Sequence, residues 1–151
     1  MLEYDFEESV GYWAFMTARA FQKAMREELG PHGITFRQWQ VLAWIAHEGE
    51  MNQSELARRL EVEAPTLAGI LDRMERDGWI VRVESPEDRR RKLVRATERV
   101  QPVWRKMVGC AKRVRARATE GLDRRRLEET MELLRDVSRN LDGDAIEEAV
   151  E

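Results

Sequence analysis

A single cysteine in 151 residues excludes an internal disulfide, and two histidines, His32 and His47, make no cluster with metal-ligand spacing. Nine glycines are scattered, so none forms a phosphate-cradling loop, and no acid and base stand at a usable spacing for catalysis. The chain therefore reads as neither an enzyme nor a cofactor carrier. No apolar run approaches the ~20 residues of a membrane span. The opening MLEYDFEESV is acidic where a secretory signal is basic, which makes the cytoplasm the expected location.

What the chain holds in quantity is charge. Charged residues make up 36% of it, with a formal net charge of −3 that argues against a nucleic-acid partner until it is divided along the sequence. Residues 1–30 carry 3 basic and 6 acidic side chains, residues 31–81 carry 5 and 8, residues 82–117 carry 13 and 4, and residues 118–151 carry 5 and 11. The basic excess is one block, and such a block is a local footprint for phosphates whatever the total charge. Beyond Arg99 the same run reads equally well as a solvated helix face.

The block begins where the local signals are strongest. Asn52 is placed to cap a helix whose third residue is Glu55 and whose buried face is Leu56, Ala57 and Leu60. A turn, Glu61 to Glu63, carries Val62 as its apolar plug. A second helix then opens with Pro65 in its first turn, where the missing N–H costs nothing. Leu67, Ile70, Leu71 and Met74 fall at i, i+3, i+4 and i+7 and face inward, which leaves Thr66, Ala68, Gly69, Asp72, Arg73 and Arg76 outward. Small and polar residues on one helix face suit a major groove. Gly78 closes that helix. Trp79 to Val83 and Lys92 to Ala96 read as antiparallel strands, joined by the polar turn Ser85-Pro86-Glu87-Asp88-Arg89-Arg90. An arginine at that tip can enter a narrow minor groove. The expected class is mostly α with a small β-hairpin wing, a winged helix-turn-helix flanked by N- and C-terminal dimerisation helices.

MNQSELARRL, EVEAPTLAGILDRMERDGWIVR and EDRRRKLVRAT together resemble the MarR family of transcriptional regulators, nearer its SlyA-like members. The resemblance covers about Ile34 to Glu98. Arg99-Val100 stands where relatives often have Lys-Gly, Ala68 and Gly69 stand where they often have serine and arginine, and Pro102 suits the SlyA-like branch. The resemblance implies a homodimer that binds pseudo-palindromic double-stranded DNA, acts as a repressor and is released by a small aromatic or phenolic effector. On this reading Asn52, Gln53 and Ser54 meet a phosphate at a helix N-terminus, Thr66 and Arg73 reach base edges, and Ala64, Pro65 and Gly69 allow close approach. At the wing tip Asp88 pairs with an arginine of the hairpin and fixes it. One arginine is then left for the minor groove, Arg90 before Arg89.

The chain is expected to form one domain, with its DNA lobe at residues 34–98 and dimerisation helices at 5–30 and 99–141. The first helix is expected from about Asp5 to Leu29, with Phe6, Val10, Trp13, Ala14, Thr17, Phe21 and Ala24 on one side, stopped by Gly30-Pro31. After the wing, Val103, Met107, Cys110, Val114 and Ala118 form one apolar seam. Leu127, Met131, Leu134, Val137 and Leu141 form another after a break near Gly121. A second copy is the commonest partner for such seams. In the helix Thr35 to Glu48, Trp39 is expected to point inward with Leu42 and Ala46. Trp13, Met16, His32, Trp39 and Trp44 are the candidate ligand residues, since relatives of this kind bind effectors between the dimer helices and the DNA lobe, although core packing competes for Trp39. Two other readings are a winged-helix protein-interaction module without DNA binding, which the arginine wing opposes, and a redox regulator using Cys110, which its place in an apolar seam opposes.

Overall fold

The computed structural model describes residues 3–86, 88 and 91–142. The chain divides into two compact units, Met1–Ala118 and Thr119–Glu151, each described by itself.

The first unit opens with α1 (Val10–Leu29), which starts later than its apolar pattern suggests because Ser9 caps it. The Ser9 hydroxyl accepts from the Tyr12 amide, and the Trp13 indole N–H donates to the Glu7 carbonyl at 2.9 Å, holding the preceding segment out of the helix. A 3-10 turn (Gly30–His32) ends on Gly33 at φ 68°, a left-handed conformation that glycine adopts without strain. α2 (Phe36–Glu48) has a reciprocal cap, in which Thr35 Oγ1 accepts from the Gln38 amide while the Gln38 side chain accepts from the Thr35 amide. Its inward stripe is Gln38, Val41, Leu42 and Ile45. The expected face holds at Leu42, which is buried, and at Trp39, which is half-buried against the core, and fails only at Ala46. Ala46 is exposed, and Trp39 packs at the edge of the core, where its ring stacks on Trp104 at 5.4 Å and 15°.

A short strand absent from the sequence expectation, β1 (Met51–Asn52), leads into α3 (Gln53–Leu60) and α4 (Ala64–Arg76). The turn between these helices places Glu61 at φ 51°, while the Glu61 and Val62 amides donate to the Arg58 and Ala57 carbonyls. α4 ends in the same manner. Gly78 at φ 73° lets its own amide reach the Glu75 carbonyl, and the Trp79 amide reaches that of Met74. β2 (Ile80–Glu84) and β3 (Lys92–Ala96) form the hairpin, with Arg82 opposite Val94, and β1 pairs along the other edge of β3. The sheet order is β1-β3-β2, all antiparallel.

A second 3-10 turn (Glu98–Val100) starts the return, and α5 (Gln101–Ala118) packs along α1. The core gathers Leu29, Val41, Leu56, Leu67, Leu71, Met74, Ile80, Val94 and Met107, all at most 1% exposed. Each such side chain stabilises the fold by ~1.5–3 kcal/mol relative to leaving it in water. The helix-turn-helix, sheet and start of α5 therefore share one core and hold the exposed surfaces in fixed relation.

The second unit consists of the turn at Gly121 (φ 71°) and α6 (Arg124–Asp142). Asp123 accepts from the Arg126 amide and caps it. Of the expected apolar stripe, Met131, Leu134 and Leu141 are exposed, at 49%, 43% and 80%, while Leu127 and Val137 are half-buried. No helix among the described residues is long and apolar enough to cross a membrane.

Candidate nucleic-acid interface

The surface begins at the α3 N-terminus. Asn52 belongs both to β1, paired with Leu93 of β3, and to the cap of α3, where its Oδ1 accepts from the Glu55 amide at 2.9 Å. One residue thus ties the sheet to α3. Ser54 is exposed and Gln53 half-buried beside it, in the first helical turn where backbone N–H groups are not used within the helix.

α4 buries Leu67, Ile70, Leu71 and Met74 and turns Ala64, Pro65, Thr66, Asp72, Arg73 and Arg76 to the surface, with Ala68 and Gly69 half-buried between them. A Cβ built on Gly69 would meet nothing within 4 Å, so nothing in this fold requires a glycine there. The Arg73 Nε donates to the Gly69 carbonyl at 3.1 Å, which lays that guanidinium over the same stretch of helix.

The wing is held to α4 by charge. Glu75 Oε1 accepts from the Arg82 amide at 3.1 Å, while its Oε2 accepts from Arg82 Nη2 at 2.6 Å and from Nε at 3.1 Å. Arg82 Nη2 also reaches Asp72 Oδ1 at 2.5 Å. These bonds hold the Glu75 carboxyl below its usual range and raise the Arg82 guanidinium further above its own. On the other side of the sheet Arg95 pairs with Glu50, lowering that carboxyl in turn. At the hairpin end the Ser85 amide donates to the Arg91 carbonyl at 2.9 Å, and the Arg91 amide to the Asp88 carbonyl at 2.8 Å. Arg91 Nε stands 3.6 Å from Asp88 Oδ2. Arg89 and Arg90 lie outside the described residues.

The candidate ligand residues are not brought together. Trp13 and Met16 line a groove of about 470 Å³ between α1 and α5 with Phe21, Val114 and Arg117. His32 is exposed at the end of its 3-10 turn, Trp39 is stacked on Trp104, and Trp44 sits edge-on to His47 with the Arg59 guanidinium 5.0 Å from its ring. Arg117 was missed. It stands 3.8 Å from Glu27 and, among the described residues, is the one cation on the groove's wall, a place no local pattern announces. Cys110 is fully buried; its Sγ lies 3.4 Å from the Glu28 carbonyl and 3.3 Å from Arg113 Nη2.

Comparison with known proteins agrees with this geometry. The sequence profile of the MarR family matches residues 32–91. An uncharacterised HTH-type transcriptional regulator of Bacillus subtilis strain 168, YwoH, is 39% identical over 85 residues, 56% of this chain and 61% of that protein. The homoprotocatechuate degradative operon repressor of Escherichia coli is 34% identical over 73 residues, 48% of this chain and 49% of its own length. The chain thus spans about half to three-fifths of these curated relatives. Among solved structures the transcriptional regulator PA3341 superposes with a TM-score of 0.79 at 30% identity, over 89% of this chain and 98% of that one. With a three-stranded wing on a helix-turn-helix and a likeness that extends through the flanking helices, the chain belongs to the MarR family of transcriptional regulators.

Proposed function

We propose that the chain is a homodimeric regulator that binds double-stranded DNA at a pseudo-palindromic operator and represses transcription until a small aromatic acid releases it. One observation carries the DNA reading. α4 presents Thr66, Gly69 and Arg73 on an outward face while its buried face locks it to the core, and the Arg82 network fastens the hairpin to the same helix. A helix that is small and polar outside, with a cationic hairpin beside it, reads a major groove and its neighbouring minor groove. Asn52, Gln53 and Ser54 position the lobe on a phosphate, Ala64 and Pro65 let the helix start approach the duplex, and the Asp88–Arg91 pair steadies the wing for Arg90 or Arg89.

Exposed apolar side chains support the dimer. Val10, Trp13 and Phe21 on α1 are 49%, 53% and 40% exposed, and α6 exposes Met131, Leu134 and Leu141. A two-fold copy buries surfaces of this kind. The groove beside Trp13 and Met16 supports the effector, because aromatic and aliphatic walls with one guanidinium suit an aromatic carboxylate, and a relative's name ties it to degradation of such an acid. Pro102 in the first turn of α5 favours the SlyA-like branch.

Footprinting on duplexes selected by the protein tests the DNA reading, with protection expected over two half-sites about one helical turn apart, ~10 bp centre to centre. Affinity should fall steeply with salt despite the net charge of −3. A monomer at micromolar concentration, or salt-independent binding, counts against it. Titrating aromatic carboxylates while following tryptophan fluorescence and operator release tests the effector. Quenching without release leaves a pocket and no switch.

A further inference from the structure

Asp72 is a carboxylate on the outer side of the helix that the proposed function lays in a groove, 60% exposed and one turn before Glu75. Negative charge there opposes DNA, so its presence calls for a use. That use is in the geometry of Arg82, whose side chain is 19% exposed, bonded to Glu75 through Nε and Nη2 and to Asp72 through Nη2. Glu75 in addition accepts from the Arg82 amide, so the carboxylate clamps main chain and side chain of β2 at one point. Asp72 supplies a second point, nearly a turn along the helix. Two points fix an angle where one fixes only a distance.

We infer that Arg82 is a positioning residue for DNA recognition, setting the angle between α4 and the β2–β3 hairpin so that helix and wing meet the duplex as one rigid body. The inference rests on the DNA-binding reading above. The planar guanidinium presents several donors in fixed directions and spans both carboxylates; an ammonium is a point charge that satisfies either one without fixing their relation. A lobe whose wing swings relative to its reading helix still holds phosphates, because that attraction tolerates displacement, but it loses register on base edges, which does not. Arg82 itself is too enclosed to act as a phosphate contact.

Two charge-controlled substitutions separate positioning from electrostatics. Arg82→Lys keeps the charge, so electrostatics alone predicts no change. Asp72→Asn removes a negative charge from the DNA side, so electrostatics alone predicts tighter binding to every sequence. Positioning predicts that both variants weaken binding to a duplex that the wild type selects from a random pool, by about tenfold, the size of losing one base pair's recognition. On a scrambled duplex of equal length the same variants should stay within about twofold of wild type or, for Asp72→Asn, bind tighter. Fluorescence anisotropy on both duplexes reads this, with thermal unfolding as a control. Should Arg82→Lys fail to fold, Asp72→Asn, changed at an exposed side chain, decides alone. Parallel loss on both duplexes, or unchanged affinity for the selected one, overturns the inference while the DNA reading stands. A wild-type chain that retains no duplex overturns both.

Discussion

Replacing Gly69 by alanine should move stability and DNA binding in opposite directions. Gly69 is the sixth of the thirteen residues of α4, and a mid-helix glycine costs ~1 kcal/mol relative to alanine because its unfolded backbone is freer. The added Cβ meets nothing within 4 Å, so no clash offsets the gain. With ~2.1 cal/mol/K of unfolding entropy per residue over the 118 residues of the first unit, Tm should rise by about 4 °C. The methyl group nevertheless occupies the side of the helix that the proposed function puts against base edges. The helix must then withdraw or lose a neighbouring contact from Thr66 or Arg73, weakening the selected operator by ~1–3 kcal/mol with little change on random sequence. Thermal unfolding and anisotropy on the same preparation give both signs. A stabilised variant with unaltered operator affinity would refute the idea that the glycine serves close approach, and a destabilised one would refute the account of the helix.

At the wing, Asp88→Ala should weaken operator binding even though it removes a negative charge, since the pairing with Arg91 at 3.6 Å is lost; gel shifts that show tighter binding would contradict this. Cys110→Ser should leave any peroxide response of operator binding unchanged, because the thiol is fully buried and its Sγ is engaged by the Glu28 carbonyl. Glu75 has a folded-state pKa below its ordinary 4.5, so its contribution to stability is present in full above that value and is lost as pH falls through the lower folded one. Denaturation across acid pH should find Glu75→Gln less stable than wild type near neutrality and the two converging at low pH. Glu61→Asn, at φ 51°, should stabilise the turn between α3 and α4 by a few tenths to ~1 kcal/mol in urea unfolding, because asparagine tolerates the left-handed region better.

Legibility followed the range of the signal. The Asn52 cap, Pro65, the 67/70/71/74 stripe and Gly78 act within a few residues, and the structure has each where the pattern places it. β1 escaped notice because two residues carry no period, and only pairing with β3, some forty positions later, makes Met51–Asn52 a strand. On α2 the expected face was right at Leu42 and Trp39 and wrong at Ala46, and the stack of Trp39 on Trp104 was invisible because the two rings belong to different helices. On α1 the apolar pattern continues past the true start, and the Ser9 cap with the Trp13–Glu7 bond decides the boundary. The outward residues of α4 were readable from its period. The Arg82 clamp was not, because it depends on how the turn at Gly78 swings β2 back along the helix. Aromatic content alone likewise did not say which tryptophans share a space.

The Trp39–Trp104 stack has an optical consequence. Two indoles 5.4 Å apart and 15° from parallel couple their electronic transitions, and they belong to α2 and α5, so the sign and size of the resulting circular-dichroism couplet depend on how the start of α5 is seated on α2. The chain carries its own goniometer. If the proposed effector releases DNA by turning α2 against α5, that couplet should change without any attached dye, and Trp104→Phe should erase it while leaving the helical signal intact.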